Sequence, residues 1–541
     1  MHGLMMNQPL LISGLLEFAE KFHPGVEIVT RTTEGPITRA NWRETAPRVR
    51  RLANALAALG VQPGDRVGTL AWNTHRHLEL YFAVSGMGAV LHTINPRLSA
   101  EQMKYVVDHA GDAALFFDVT FGPLAARLAA AGGTVDSFVA LTDVAHLSGD
   151  AGIPGVLAYE DLIERSSDDF AWPALDENSA SSICYTSGTV GNPKGVVYSH
   201  RSTLLHSYAI CMADTLAISA SDVTLPIVPM FHVNAWGVPY AAAMVGSKLV
   251  LPGPGLDGAR LLELIETEGV TSLLGVPTVC HNLLLAVEER GVRLTSVRKV
   301  TIGGSAVPAS MIERFEKHGA RVIHAWGMTE TSPVGTVNRL LPKHAALDDD
   351  AKMQIKLKQG RPVFGIDLRI VDDARRPLPF DGQTPGHLEV RGPWVASAYF
   401  KGERDDQHHD GWFATGDIAT IDDDGYVLLT DRSKDVIKSG GEWISSIALE
   451  NGAMCYPGVA QAAVIGVPHT KWQERPLLVV VCARGVEVRG DALLAFLAER
   501  LPKWWVPDAV EFVDALPLGA TGKILKRTLR EQFRDYSLGD R

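Results

Sequence analysis

A glycine-rich loop that carries hydroxyl groups and one lysine is the clearest chemical feature of the sequence. It reads YTSGTVGNPKG, from Tyr185 to Gly195. Glycines let backbone N–H groups approach phosphate oxygens, hydroxyls donate hydrogen bonds, and Lys194 supplies positive charge. The spacing differs from a Walker loop, because Pro193 precedes the lysine and a glycine follows it, and it does not match the dinucleotide fingerprint. The loop therefore predicts a phosphate site, with a plain glycine-rich surface turn as the alternative.

Isolated carboxylates and lysines occur in other glycine-bearing stretches. Glu330 lies in HAWGMTETSP and Asp417 in WFATGD. Taken alone, the first would be an acid at a helix start and the second a solvated turn residue. Lys438 lies in DRSKDVIKSGGEW and Lys523 in PLGATGKILKR. A lysine near a C-terminus is ordinarily a solvated helix residue, so these side chains gain meaning only from the motifs around them.

Alternating helix and strand patterns must position these residues. Such alternation predicts largely parallel sheets covered by helices. Ser310 and Glu313 predict a capping box that opens a helix. The polar stretches Asp348–Gly360 and Glu403–Gly411 are expected to be surface loops. The charged stretch Thr430–Trp443 precedes a new set of short elements, which indicates a small separate α/β domain at the C-terminal end.

Composition excludes several classes of protein. The 541 residues are 46% hydrophobic and 21% charged, with a net charge of −11 from 51 basic and 62 acidic residues. This acidic balance argues against nucleic acid as the main partner. Five scattered cysteines without metal spacing predict reduced thiols in a cytoplasmic protein. We expect no signal peptide and no membrane span.

Seven motifs in order resemble the adenylate-forming (AMP-binding) superfamily of acyl-CoA synthetases, luciferases and peptide-synthetase adenylation domains. The phosphate loop is followed by PMFHVNAWG, GGSAVP, HAWGMTETSP, WFATGD, DRSKDVIKSGGEWIS and PLGATGKILKR, so the likeness extends to Arg527. The motif sequences are most similar to those of bacterial medium-chain fatty acyl-CoA synthetases and 3-methylmercaptopropionyl-CoA ligases. The resemblance implies a large N-terminal α/β domain (1–431) with a smaller β subdomain, a hinge (432–434) and a small mobile C-terminal α/β domain (435–541).

The resemblance implies a reaction in two halves. A carboxylate attacks the α-phosphate of ATP to give an acyl-adenylate and pyrophosphate, and the thiol of coenzyme A then displaces AMP. Lys523 would bridge the carboxylate and the α-phosphate, Glu330 and Thr186 would hold Mg²⁺, and Lys434 would be the hinge residue. Trp326 stands where the family usually has the tyrosine that stacks on adenine. The implied ATP and AMP contacts are Thr186, Ser187, Gly188, Thr189, Lys194, Gly304, His324, Ala325, Trp326, Thr329, Asp417, Arg432 and Lys434.

The resemblance also assigns the acyl and coenzyme A sides. Acyl-pocket residues would be His232, Val233, Trp236 and Gly303, with Trp443 as a gate. His232 stands where amino-acid-activating relatives carry an aspartate, which favours an acid without an α-amino group. On the coenzyme A side, catalytic Lys438 would be joined by Gly440, Gly441 and Glu442. Lys526 and Arg527 would be solvated helix residues or would touch coenzyme A phosphates.

The sequence thus predicts an AMP-forming acyl-CoA ligase for a short-to-medium-chain fatty acid or 3-(methylsulfanyl)propanoate. Its expected co-substrates and cofactor are ATP, coenzyme A and Mg²⁺, and we expect a homodimer. An adenylation enzyme that loads a carrier protein is the first alternative. A luciferase-like oxygenase and a non-catalytic nucleotide-binding relative are the others. The non-catalytic relative is disfavoured because five residues that the reaction would need occur together, namely Thr186, Lys194, Glu330, Asp417 and Lys523.

Overall fold

Alternating helices and strands fill most of the chain in the computed structural model. It describes residues 1, 3–147, 152–186, 192–402, 407–432, 435–440, 442–483, 485–519, 524–536 and 538. The side chains of Glu442 and Trp443 lie outside this description.

The described helices are α1 Ile12–Phe22, α2 Trp42–Ala58, α3 His75–Gly86, α4 Ala100–Ala110, α5 Gly122–Ala131, α6 Tyr159–Arg165, α7 His200–Cys211, α8 Val238–Val245, α9 Gly258–Glu268, α10 Pro277–Glu289, α11 Ala309–Lys317, α12 Asp349–Lys356, α13 Ser446–Met454, α14 Gly490–Ala498 and α15 Lys526–Gln532.

The described strands are β1 Glu27–Arg31, β2 Ile37–Asn41, β3 Arg66–Leu70, β4 Val90–Thr93, β5 Asp112–Phe117, β6 Ser137–Ala140, β7 Leu157–Ala158, β8 Ala180–Tyr185, β9 Gly195–Ser199, β10 Val223–Pro226, β11 Lys248–Leu251, β12 Ser272–Gly275, β13 Lys299–Ile302, β14 Arg321–Gly327, β15 Val334–Val337, β16 Arg361–Pro362, β17 Asp367–Val371, β18 Gly386–Arg391, β19 His408–His409, β20 Trp412–Ile421, β21 Val427–Arg432, β22 Ile437–Ser439, β23 Glu442–Ile444, β24 Val459–His469, β25 Gln473–Cys482 and β26 Ala509–Phe512.

Two large, mainly parallel sheets form the body of the N-terminal part. One has the strand order β16-β15-β14-β13-β12-β10-β11-β1-β2 and the other β7-β6-β5-β3-β4-β8-β9. Their central pairs are parallel, and antiparallel strands such as β2, β9 and β15 extend the edges. Buried parallel strands have apolar side chains on both faces, and alternate residues here enter different cores. Leu273 of β12 packs with α9, α10 and α11, whereas its neighbour Leu274 packs in the central core with α1, α2 and α3.

Local signals explain where helices near the phosphate loop begin. Ser199, the last residue of β9, accepts a hydrogen bond from the backbone N–H of Ser202, and the Ser202 hydroxyl accepts one from the Ser199 backbone N–H. This reciprocal pairing starts α7 immediately after β9. The strand that follows the phosphate loop is therefore held at its far end by a capped helix.

A third sheet, of antiparallel strands, corresponds to the predicted smaller β subdomain. Its order is β17-β18-β20-β19, and β21 pairs with β20 so that Asp417 lies opposite Arg432. The C-terminal part has its own sheet, β23-β22-β25-β24, with β26 paired in parallel to β25. Helices α13 and α14 cover one face of that sheet and α15 covers the other. The predicted fold class is confirmed, while the domain limits at 431 and 435 stay predictions.

Three expectations about local secondary structure are wrong. Helix α11 begins at Ala309 after Pro308, and Pro308 makes no side-chain cap, so Ser310 does not open the helix. The stretch predicted as a loop at 348–360 contains α12, which Asp348 caps by accepting from the Ala351 backbone N–H at 2.8 Å. Acidic residues in the first turn favour that helix. Within 403–411, residues 403–406 lie outside the described part, and β19 pairs with β20 instead of forming a loop.

A buried polar cluster joins β21 to the C-terminal helices. The Lys526 ammonium lies 2.7 Å from Glu450 Oε1 and also donates to the Ser446 hydroxyl. Ser446 in turn donates its backbone N–H and its hydroxyl to Asp431 Oδ2, at 2.8 and 2.6 Å. Burial by itself would lower the pKa of Lys526, but attraction to Glu450 and Asp431 outweighs it and the pKa is raised. The expectation that Lys526 is solvated is wrong.

In the part of the chain that the structure describes, no helix is long and apolar enough to cross a membrane.

Replacing Lys526 with Met should strongly destabilise the C-terminal part, because Glu450 and Asp431 would stay buried without this cation. Breaking a buried pair of this kind costs about 3–5 kcal/mol. Urea denaturation followed by circular dichroism measures the loss. Arg527→Met is the matched control, since the Arg527 side chain is 69% exposed and pairs with Glu531 at the surface; it should change stability by less than about 0.5 kcal/mol. Equal losses in the two variants would contradict the role given to the cluster.

Candidate active site

The two ends of the phosphate loop are held together by the strands on either side of it. Strands β8 and β9 are antiparallel, with Tyr185 opposite Gly195. Beyond that pair, the Thr186 backbone N–H donates to the Lys194 carbonyl at 2.9 Å, and the Lys194 N–H donates to Thr186 Oγ1 at 3.3 Å. Thr186 and Lys194 are therefore neighbours. Ser187, Gly188 and Thr189, which were also predicted here, lie outside the described residues.

Lys194 and Glu330 are brought to one place by Tyr399. The Lys194 ammonium lies 4.3 Å from the centre of the Tyr399 ring, a cation–π geometry. The Tyr399 hydroxyl donates to Glu330 Oε1 at 2.7 Å. A second link runs through Tyr198 of β9, whose hydroxyl donates to the Thr329 carbonyl at 2.7 Å. The phosphate loop and the GMTE segment, far apart in the sequence, therefore form one site.

Glu330 lies in a short 3-10 turn, Thr329–Thr331, directly after β14, and is only 6% exposed. Among the described residues, no lysine, arginine or histidine lies within ion-pair distance of its carboxylate. Buried carboxylates are usually paired with a cation or coordinate a metal. Glu330 with the Thr186 hydroxyl therefore fits a hard divalent cation chemically, because both side chains offer oxygen ligands.

Trp326, Asp417 and Arg432 form a second cluster. The Trp326 indole Nε1–H donates to Asp417 Oδ2 at 3.1 Å, and Arg432 Nε lies 2.9 Å from Asp417 Oδ1. Trp326 and Asp417 are buried, whereas the Arg432 side chain is half-exposed. A Cβ on Gly335 would lie 2.5 Å from the Trp326 ring, so this glycine leaves the space in which the indole rests.

His324 and Ala325 precede Trp326 on β14. The His324 ring faces the backbone carbonyls of Lys356 and Leu357 at the end of α12, while its buried Nδ1 lacks a hydrogen-bond partner among the described residues. Burial lowers the pKa of His324 to about 4. The imidazole is therefore neutral at pH 7, which suits contact with an uncharged base.

The acyl-side residues adjoin this strand. A Cβ on Gly303, directly after β13, would lie 2.9 Å from the Ala325 carbonyl and 3.2 Å from Trp236. The absence of a side chain at Gly303 thus lets Trp236 approach the β14 backbone. Gly304 adopts a positive φ of 86°, which favours glycine. His232 is half-buried, with its backbone N–H donating to Pro229.

The segment from Val233 to Trp236 is a strained left-handed turn. Its four φ values lie between 47° and 58° although none of the residues is glycine. Left-handed backbone costs roughly 1–2 kcal/mol per residue. Asn234 stabilises the turn: its Nδ2 donates to Ser182 Oγ at 2.9 Å, and its Oδ1 accepts from Cys184 at 3.3 Å. Both partners lie on β8, so the acyl-side turn is fastened to the strand that leads into the phosphate loop.

The predicted coenzyme A residues lie in the C-terminal sheet. Lys438 is exposed on β22, and its backbone N–H donates to Glu474 Oε2 at 3.1 Å. Gly440 has a φ of 60°, and a Cβ there would lie 2.9 Å from Trp472. The contacts of these two residues thus lie within the C-terminal part of the chain. Lys434, Gly441 and Lys523 lie outside the described residues, as do the side chains of Glu442 and Trp443.

Sequence reasoning missed four residues that connect the site, namely Tyr198, Asn234, Tyr399 and Gln407. The last of these accepts a hydrogen bond from the Lys194 ammonium through its Oε1 at 3.1 Å. Asn234 lies inside the motif FHVNAWG, and its position between two named pocket residues was the available signal. Tyr399 precedes the polar stretch Glu403–Gly411 that was predicted to be a loop, and Gln407 lies inside that stretch, where no pattern marks either residue. Their roles follow from contacts between distant parts of the chain.

The two parallel sheets, the C-terminal sheet and these clusters are typical of an α/β enzyme that binds a nucleotide. Residues 17–400 match the AMP-binding enzyme family, and residues 448–523 match the AMP-binding enzyme C-terminal domain. The chain belongs to the AMP-binding enzyme family, which confirms the resemblance seen in the motifs.

Two curated relatives and one solved structure are similar over nearly the whole chain. A 3-methylmercaptopropionyl-CoA ligase of Ruegeria lacuscaerulensis is 54% identical over 540 residues, covering 100% of both chains. A medium-chain-fatty-acid–CoA ligase of Ectopseudomonas oleovorans is 51% identical and covers 99% of this chain and 98% of its own. The crystal structure of ATP-bound MatB from Rhodopseudomonas palustris gives a TM-score of 0.80 at 27% identity, covering 98% of this chain and 99% of its own.

Gly335→Ala should weaken AMP binding roughly tenfold, because the new methyl group would displace the Trp326 ring, and overpacking of this kind costs about 1–3 kcal/mol. Isothermal titration calorimetry with AMP measures the change. Gly14→Ala is the control, since a Cβ at Gly14 in α1 meets open space; it should leave AMP affinity unaltered. Unchanged affinity in a folded Gly335→Ala protein would show that the Trp326 ring does not contact the nucleotide.

Proposed function

We propose that the chain is an AMP-forming acyl-CoA ligase for short-to-medium-chain carboxylic acids. The observation that carries this proposal is the junction of Lys194, Tyr399 and Glu330, which combines a phosphate-loop cation with a buried carboxylate. The names of the similar proteins support it, since both curated relatives are CoA ligases. The reaction would yield an acyl-adenylate and pyrophosphate first, and then an acyl-CoA and AMP.

The first half-reaction brings two anions together, so positive charge must offset their repulsion. Lys194 and the hydroxyl of Thr186 would bind the outer phosphates, and Thr329 would donate to the α-phosphate. Asp417 would accept hydrogen bonds from the ribose hydroxyls, while Arg432 Nε, 2.9 Å from Asp417 Oδ1, orients that carboxylate. Lys523 would bridge the acid and the α-phosphate. A lysine suits this role because it is a compact charge on a long, flexible stem.

Glu330 and Thr186 would hold a magnesium ion together with phosphate oxygens of the substrate. Bound there, Mg²⁺ would neutralise phosphate charge and make the α-phosphorus more electrophilic. Glu330 fits this role because it is a buried carboxylate that has no protein cation beside it among the described residues. The Tyr399 hydrogen bond fixes the direction of its Oε1.

In the adenine part of the site, Trp326 would offer its indole face to the base. His324, neutral because burial lowers its pKa to about 4, and Ala325 would lie along the edge of the base. Gly304 would let the backbone approach the nucleotide closely. An indole in place of the usual phenol preserves an aromatic surface for stacking.

The second half-reaction would use the other surface of the C-terminal unit. We propose that residues 435–541 rotate as one domain about Lys434, at a hinge of 432–434 that follows the large domain of 1–431. Lys438, Gly440, Gly441 and Glu442 would then meet the pantetheine arm of coenzyme A. Trp443 would act as the gate of the acyl tunnel. One mobile domain would thereby serve both half-reactions.

The acyl group would lie against Val233, Trp236 and Gly303. This lining is apolar, and His232 offers no carboxylate for a substrate amine, so the pocket favours an acid without an α-amino group. A fatty acid and 3-(methylsulfanyl)propanoate both meet that condition. We further propose a cytoplasmic homodimer that associates through the large domain.

The direct test is acid-dependent production of AMP from ATP and Mg²⁺, with and without coenzyme A. We expect turnover only when coenzyme A is present. Several neighbouring chain lengths should be turned over, because one methylene in an apolar pocket is worth only about 1–3 kcal/mol, or roughly 10- to 200-fold in kcat/KM. Straight-chain acids and 3-(methylsulfanyl)propanoate make up the substrate panel. Thioester formed only on a carrier protein would favour the alternative, and AMP formation with no added acid would contradict both.

The role of Lys523 is tested by ATP–pyrophosphate exchange, which measures the first half-reaction alone. Lys523→Ala should nearly abolish the acid-dependent exchange. It should leave thioester formation from synthetic acyl-adenylate largely intact, because that step no longer needs the bridging ammonium. Lys503→Ala, at an exposed position, is the control and should be normal in both steps. Unimpaired exchange in Lys523→Ala would refute the role given to this lysine.

A further inference from the structure

Tyr399 lies between two groups of opposite charge and contacts both. It is 5% exposed and occupies the connection between β18 and β19. Its ring packs beside the Lys194 ammonium, 4.3 Å from the ring centre, and its hydroxyl donates to Glu330 Oε1 at 2.7 Å. Gln407 Oε1 lies 2.9 Å from the same hydroxyl. One phenol thus contacts the cation, the carboxylate and an amide.

The orientation of the Gln407 amide follows from its other contacts. Its Nε2 donates to the Ala414 carbonyl at 3.2 Å, and its Oε1 accepts from the Lys194 ammonium at 3.1 Å. A carbonyl can only accept and an ammonium can only donate, so the amide cannot be turned the other way. Gln407 therefore presents an acceptor to Lys194 and to Tyr399 at the same time.

The Tyr399 hydroxyl has a single hydrogen and, among the described residues, two acceptors within reach. Donation to the charged Glu330 carboxylate is the stronger of the two bonds. If a cation binds Glu330, the hydrogen can turn to Gln407 Oε1, 2.9 Å away, without any heavy atom having to move. The hydroxyl can therefore release the carboxylate without losing a hydrogen bond.

Among the described residues, neither of the two side chains that contact the Lys194 ammonium carries a negative charge. Gln407 is an uncharged amide, and the Tyr399 ring attracts the ammonium through its quadrupole. A carboxylate in place of Gln407 would form an ion pair that an incoming phosphate must break. The site thus holds the lysine in position while its full charge stays available for an anion.

We propose that Tyr399 and Gln407 are positioning residues that hold Lys194 and Glu330 in the arrangement that ATP requires. The Tyr399 hydroxyl orients the Glu330 carboxylate, and the Tyr399 ring holds the Lys194 ammonium. Gln407 also holds the ammonium, and its Oε1 can accept the hydrogen bond of the hydroxyl when Glu330 no longer does. The inference rests on the proposed function in that the ligand is ATP. It adds two residues that act through the phosphate-site groups rather than on the substrate.

Tyr399→Phe separates these contributions, because it removes the hydroxyl and keeps the ring beside Lys194. We expect the dissociation constant for ATP with Mg²⁺, measured by isothermal titration calorimetry, to rise roughly tenfold, because the Glu330 side chain would no longer be held in place beforehand and would have to be ordered on binding. The KM for ATP in pyrophosphate exchange should rise with it. Thioester formation from synthetic acyl-adenylate and coenzyme A should be unchanged.

Tyr159→Phe is the matched control. Tyr159 is also a buried tyrosine that donates to a buried carboxylate, Glu79, and it belongs to an ion-pair network with Arg48. A general loss of stability would lower the melting temperature in both variants, whereas only Tyr399→Phe should lose ATP affinity. Equal ATP affinity in Tyr399→Phe and the parent protein, or equal losses in the two variants, would overturn the proposal.

Two substitutions of Gln407 test the charge argument. Gln407→Glu should weaken ATP binding more than Gln407→Leu, because the new carboxylate would pair with Lys194, and added salt should narrow the difference. The reverse order would overturn the role of Gln407. Because binding is measured without acyl transfer, a parent protein that binds ATP but forms no thioester would refute the proposed function while leaving this test valid. A parent protein that does not bind ATP would overturn both.

Discussion

The structure holds a cationic and an anionic side chain close together without letting them pair. The Lys194 ammonium and the Glu330 carboxylate come from different sheets, yet both contact Tyr399. Lys194 and Glu330 do not form an ion pair with each other, because the ring and the hydroxyl of Tyr399 lie between them. The proposed binding of a phosphate and a divalent cation at this site requires such an arrangement, in which the two side chains are held close together without pairing.

The two parallel sheets make this arrangement possible. The phosphate loop follows β8, and the segments at Gly303 and Glu330 follow β13 and β14, so each chemical group lies at the carboxyl end of a strand, where open α/β sheets bind ligands. Tyr198 and Asn234 then fasten segments from the two sheets to each other. Strain in the turn at Val233–Trp236 is tolerated because the buried Asn234 amide holds it.

Much of this could be predicted from the sequence, because motifs record local requirements. Three motifs could be recognised from residue types at fixed spacing. They are the glycine-rich loop, the segment GMTE with its carboxylate, and the segment TGD with its aspartate. The α/β class followed from helix–strand alternation. The contacts made by Tyr399, Gln407 and Lys526 could not be predicted in this way, since each depends on segments that meet only in the folded chain. Helix α12 was missed because its polar composition resembles that of a loop, although Asp348 is an ordinary cap.

The central claim is that the acid attacks the α-phosphorus of ATP between a cation held by Glu330 and a lysine. Turnover with a carboxylic acid labelled with ¹⁸O in both carboxylate oxygens tests it most directly. Mass spectrometry of the nucleotide product should find one ¹⁸O atom in AMP and none in pyrophosphate, because the bond between the acid oxygen and the α-phosphorus persists when coenzyme A displaces AMP. Label in inorganic phosphate, with ADP as the nucleotide product, would place the attack at the γ-phosphorus and contradict the account.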